Sequence, residues 1–107
     1  MNTLDKICRM ASEKEILDML QEECAELIQA ASKTKRVMNG DRSVDPRKAR
    51  LNLIEELGDV QNMLTLTAKK LLTVEENWDV CVGEFAKLDR YCERLKERER
   101  HDAKLDD

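Results

Sequence analysis

Aromatic residues are almost missing from this chain, which has one Trp, one Tyr and one Phe among 107 residues, together with a single proline and three glycines. Strands favour aromatic and β-branched side chains bounded by turn residues, so this scarcity points away from a sheet. No apolar run approaches the roughly 18 residues of a membrane span. The first ten residues mix acidic and basic side chains without an apolar stretch, and so do not read as a secretory signal. His101 is the only histidine, and Cys8, Cys24, Cys81 and Cys92 contain no CxxC pair. That spacing argues against zinc and describes reduced packing residues of a cytoplasmic protein. A net charge of −4 also lacks the basic surplus that nucleic-acid binding requires.

What the chain does contain is Leu, Glu, Lys, Arg and Ala, with both charge signs interspersed and apolar residues at helical spacing. These features predict an all-α fold. A chain of 107 residues has room for one domain with a modest core, so a homodimer or homotetramer is expected.

Three long helices are marked by their ends. Ser12-Glu13-Lys14-Glu15 is a capping box, and Asn39-Gly40 is a C-terminal stop. Between them Ile16, Leu17, Leu20, Cys24, Leu27, Ile28 and Ala31 form the expected inner face. Asp45-Pro46 opens a second helix, with proline at the first position. It should run to about Leu72 and turn Leu53, Leu57, Val60, Leu64 and Leu71 inward. Thr73-Val74-Glu75-Glu76 is another capping box. The helix it opens should bury some of Trp78, Val82, Phe85, Leu88, Cys92 and Leu95 and fray beyond about Arg100. A weakly signalled helix lies between Thr3 and Ala11. The expected arrangement is a bundle of antiparallel helices.

Two acidic segments, Glu22-Glu23-Cys24-Ala25-Glu26 and Glu55-Glu56-Leu57-Gly58-Asp59, stand out. At about 100° per residue, Glu26 falls some 60° to one side of Glu23, and Asp59 falls likewise relative to Glu56. The apolar stripe lies on the other side in both helices, which puts both pairs just off the expected buried face. Antiparallel packing lets them converge. Taken singly, either pair is ordinary on a Glu-rich helix. Yet neither has a favourable Lys or Arg at i+3 or i+4, and Glu22/Glu26 and Glu55/Asp59 are like-charge i, i+4 pairs, which destabilise a helix. The repetition calls for a cation, and all-oxygen ligation suits Mg²⁺, with Mn²⁺ as a substitute. A ferritin-like di-iron centre needs Glu-x-x-His, and the Asn39–Asp45 loop is too short for an EF-hand.

Glu23-x-x-Glu26 within EECAEL and Glu56-x-x-Asp59 within EELGDV resemble the paired ExxE…ExxD signature of the MazG-like all-α nucleotide pyrophosphohydrolases. The likeness covers most of the chain. It implies that Glu23, Glu26, Glu56 and Asp59 bind Mg²⁺ and that a nucleoside triphosphate is cleaved between its α- and β-phosphates. Glu22 and Glu55 are then the neighbours expected to orient ligands or accept a proton from water. Gly58 suggests close helix approach beside the metal or simply a tolerated glycine. Asn62 is placed to touch ribose or phosphate. The triphosphate also needs cations, for which the candidates are Lys33, Lys35 and Arg36 after the first acidic segment and Lys87, Arg90 and Arg94 on the last helix. Trp78 is expected to be a core anchor more than a base-stacking residue. Two rivals remain open: a non-catalytic helical interaction module, and a dedicated dUTP, dCTP or phosphoribosyl-ATP pyrophosphatase.

Overall fold

Each helix begins where a side chain can take over the backbone N–H groups that have no partner within the helix. In the computed structural model, which describes residues 1–106, these are α1 (Thr3–Met10), α2 (Glu13–Met38), α3 (Pro46–Leu71) and α4 (Val74–Leu105), with no strand among the described residues. Asn2 caps α1, Ser12 and Glu15 form the capping box of α2, and Asp45 accepts from the Arg47 and Lys48 amides at the start of α3. Thr73 and Glu76 form the capping box of α4. α2 ends in a Schellman turn: Gly40, at φ 84°, donates to the Val37 carbonyl and Asp41 to the Arg36 carbonyl. The positive φ is why glycine stands there.

The chain divides into two compact units, Met1–Leu72 and Thr73–Asp107. In the first, α2 and α3 form a hairpin. At its open end Ile16 packs on Met63 and Leu66, and Leu4, Ile7 and Cys8 of α1 close over them with Leu20 and Leu71. Two lysines fasten α1 from the end of α3: Lys69 pairs with Asp5 at 2.8 Å, and Lys70 donates to the Cys8 carbonyl. At the other end the small residues Ala30 and Ala49 are buried.

The two long helices are rotated about their axes relative to the sequence expectation. Ala49, Glu56, Val60, Met63 and Leu66 are the buried positions of α3, whereas Leu57 and Leu64 are about half exposed. On α2, Ile16 and Ala30 are buried, whereas Leu17 and Ile28 face outward. The shift is roughly 60° on each helix, and it brings the acidic positions into the seam while part of the apolar stripe points away.

The second unit departs further. No residue of α4 is buried: Trp78 and Phe85 are 64% and 70% exposed, and Leu95 is only half-buried. A lone helix has nothing in its own unit to cover an apolar stripe. Trp78 is therefore not a core anchor of that unit, and Cys81 and Cys92 are exposed where Cys8 and Cys24 are partly covered. The helix also continues past Arg100 to Leu105, because Arg, Glu, Lys and Ala sustain it and no proline or glycine interrupts it.

Gly58 is exposed, and a β-carbon added there meets nothing within 4 Å. It therefore serves no close helix approach. Gly58→Ala should stabilise the protein by about 0.5–1 kcal/mol in thermal or urea unfolding, through the helix propensity of alanine. A loss of stability would show that this face is packed against something in solution.

Candidate functional site

Acidic residues from both segments meet across the α2–α3 seam. Glu23, Glu56 and Asp59 each offer an oxygen, and these oxygens all lie within 4.8 Å of one another. α2 supplies Glu23 from a half-buried position, and α3 supplies Glu56 and Asp59 one turn apart. Glu26, also half-buried, lies near enough that its charge is the leading one acting on both Glu23 and Glu56. Glu26 is thus the fourth member of the group.

Glu56 is the unusual member. It is only 7% exposed and, among the described residues, is the one charged side chain that is buried. Its Oε1 receives one long hydrogen bond, from Asn52 Nδ2 at 3.5 Å, and its Oε2 has no partner. Glu23 Oε2 is likewise buried without a partner. A buried carboxylate normally accepts hydrogen bonds or pairs with a cation, so two orphaned oxygens facing one cluster are a considerable penalty in the chain by itself. Burial, followed by the Glu26 charge, pushes the carboxyl of Glu56 above its ordinary value of 4.5. The same two causes raise Glu23, with smaller contributions from Asp59 and Glu22.

Such a set of oxygens fits a small hard cation. Mg²⁺ takes its oxygen ligands at about 2.0–2.1 Å, so oxygens already within 4.8 Å of one another can meet on one ion after small side-chain movements. A cation would partner both orphaned oxygens at once.

The remaining sequence candidates are distributed unevenly. Asn62 shares a small cleft of about 250 Å³ with Glu23 and Asp59, which places its amide beside the acidic group. Glu22 is exposed but close enough to Glu23 for its charge to be felt there. Glu55 is exposed, and no hydrogen bond or ion pair among the described residues ties it to the cluster. Lys33 and Arg36 line a second cleft toward the loop. Lys87, Arg90 and Arg94 belong to the other unit, exposed on α4. Sequence reasoning missed Asn52, which donates to Glu56. The signal was its position one turn before Glu56 on the same face, which mattered only once that face proved to be the seam. No family model, curated protein or solved structure matches the chain, which leaves the chemistry of the site itself to indicate its use.

Proposed function

We propose that this protein is a Mg²⁺-dependent nucleoside triphosphate pyrophosphohydrolase of the MazG-like kind, acting through Glu23, Glu26, Glu56 and Asp59. The observation that carries the reading is the buried Glu56 carboxylate, unpartnered at Oε2 and gathered with Glu23 and Asp59 within 4.8 Å. A non-catalytic helical module gains nothing from burying such a group, whereas a cation site requires it. The paired ExxE and ExxD motifs point the same way.

In this reading Glu23, Glu26, Glu56 and Asp59 would hold the ion, whose charge would offset that of the phosphate oxygens. Asn62 orients the sugar or a phosphate from its cleft beside Glu23 and Asp59. The oxygen of a water molecule bonds to the α-phosphorus, and the bond from that phosphorus to the α–β bridging oxygen breaks. The bridging oxygen leaves with its electron pair on pyrophosphate. The proton released by the water passes to a carboxylate, for which Glu22 is better placed than Glu55. The products are a nucleoside monophosphate and pyrophosphate. Positive charge for the leaving group would come from lysines and arginines, for which Lys33 is the candidate on the same hairpin as the carboxylates.

The apolar surface left outward supports a homo-oligomer. Leu57 and Leu64 on α3, Leu17 and Ile28 on α2, and the Trp78–Phe85–Leu88 stripe of α4 are all substantially exposed. Isolated exposed leucines are normal, but continuous stripes on long helices mark surfaces that pack against something. Light scattering should report a homodimer or homotetramer at assay concentrations, and an active monomer would overturn this part of the reading.

The activity is tested by incubating a panel of NTPs and dNTPs, with dUTP, dCTP and phosphoribosyl-ATP included, and identifying the phosphate product. Pyrophosphate should appear with Mg²⁺ or Mn²⁺, weakly with Ca²⁺, and not in a chelator. Stepwise release of orthophosphate, or undiminished turnover in EDTA, would overturn the hydrolase assignment.

A further inference from the structure

At the end of the hairpin where α2 gives way to α3, a cleft of about 500 Å³ is lined by Lys33, Arg36, Ser43, Asp45, Lys48 and Asn52. Its side chains are mainly donors: three cations, a hydroxyl and an amide. The one carboxylate among them, Asp45, is engaged by the amides of Arg47 and Lys48 at 2.9 and 3.2 Å. Lys33 and Lys48 have no ion-pair partner among the described residues.

Arg36 is held in place from the loop. Its Nε donates to Asp41 Oδ2 at 2.8 Å and its Nη2 to Ser43 Oγ at 3.1 Å. Asp41 also accepts from the Ser43 hydroxyl at 2.6 Å and the Ser43 amide at 2.9 Å. These bonds to Ser43, assisted by Arg36, hold the Asp41 carboxyl down to about 2, so the loop keeps its lock at any pH near neutrality. A cleft whose loop is already fixed loses little conformational freedom when a ligand arrives.

The cleft and the acidic group share Asn52, which lines the cleft and also donates to Glu56 Oε1. Lys48 lies about 12 Å along α3 from Glu56, a distance that a lysine side chain and a phosphate chain cover together. One seam therefore carries a cation-seeking end and an anion-seeking end.

We propose that this cleft binds the outer phosphates of a polyphosphate ligand through Lys33, Arg36 and Lys48, so that the chain of phosphates lies along the α2–α3 seam and ends at the carboxylates. Its place in catalysis rests on the hydrolase reading, whereas the binding itself does not. It assigns the phosphate-holding cations to the loop end of the hairpin, with no contribution required from Lys87 or Arg90. Guanidinium and ammonium groups converging on one opening suit the several charges of a phosphate chain better than a single carboxylate.

The test is calorimetric titration of inorganic tripolyphosphate into the full chain, in EDTA and at low salt, so that metal plays no part. Wild type should bind saturably, and Lys33→Ala/Lys48→Ala should weaken binding by about tenfold or more. The control Lys6→Ala/Lys14→Ala removes the same charge from exposed positions elsewhere and should change affinity by less than about twofold, as expected of screened surface charges. Glu56→Gln should bind as well as wild type or better. Equal losses in the two lysine pairs, or no binding to wild type, would overturn the proposal. Binding that behaves as expected in a protein that hydrolyses no triphosphate would leave the cleft standing and remove the hydrolase reading instead.

Discussion

Glu56→Gln and Asp59→Asn should each reduce Mg²⁺-dependent pyrophosphate release by roughly a hundredfold or more while leaving the helical circular dichroism unchanged. Both substitutions keep side-chain volume and remove only charge and one acceptor oxygen. Glu56 carries the larger expectation, because it is the buried member of the group and has only a long bond from Asn52 to satisfy it. Glu97→Gln and Glu99→Gln, on the exposed end of α4, serve as controls and should leave turnover within about twofold, as is usual for surface charges. Similar losses in both sets would mean that the acidic cluster has no special part in the reaction.

In EDTA, Glu56→Gln should melt at a higher temperature than wild type, and in Mg²⁺ that order should shrink or reverse. Most substitutions at buried positions destabilise, so the sign is diagnostic. The reason lies in the crowding of Glu23, Glu26, Glu56 and Asp59 with two orphaned oxygens and no cation in the chain to meet them. Mg²⁺ at a hundred times its dissociation constant adds about 2.7 kcal/mol to a protein that binds it only when folded. For a domain of this size that is a rise of roughly 10 °C or more, expected for wild type and largely lost in the variant.

The pH dependence follows from the same crowding. Burial, and then the Glu26 charge, raise the folded values of Glu23 and Glu56 above 4.5. The metal-free folded state therefore holds these protons more tightly than the unfolded chain. Their contribution to stability is fully present below the unfolded value and is lost as the pH rises through the raised folded values. Metal-free wild type should thus gain stability as the pH falls from neutrality toward about 5, and Glu56→Gln should gain less. The benefit of Mg²⁺ should move the opposite way and fade with acidity, since protons compete for the same oxygens. Identical melting differences between wild type and Glu56→Gln across both buffers and this pH range would leave Glu56 with no part in a cation site.

Much of the local structure was legible because caps and stops are short-range chemistry. Ser12 with Glu15, Asp45 with Pro46, Thr73 with Glu76 and the Asn39-Gly40 stop each act within a few residues, and the helices begin and end beside them. The identity of the acidic residues was legible for a similar reason: like charges at helical spacing without local counter-ions are visible in one dimension.

Their burial was not. Hydrophobic periodicity placed Leu57, Leu64, Leu17 and Ile28 on the inner faces and Glu56 just off them, whereas the hairpin turns Ala49, Glu56, Val60 and Met63 inward. Periodicity reports that a helix has an apolar side; it cannot say which of two possible partners that side will meet. Here one side meets the neighbouring helix along a seam that includes small and acidic residues, and much of the leucine stripe is left for another surface. The Trp78–Leu95 stripe of α4 poses the same ambiguity, since an apolar face written in the sequence needs a partner that the sequence does not identify. The chain by itself therefore determined where helices start and stop and which carboxylates lie one turn apart. Only the packing of α2 on α3 decided that Glu23, Glu56 and Asp59 meet at one partly buried point and that Asn52 links it to the Lys33–Lys48 cleft, because axial rotation of a helix is set by the surface it packs against.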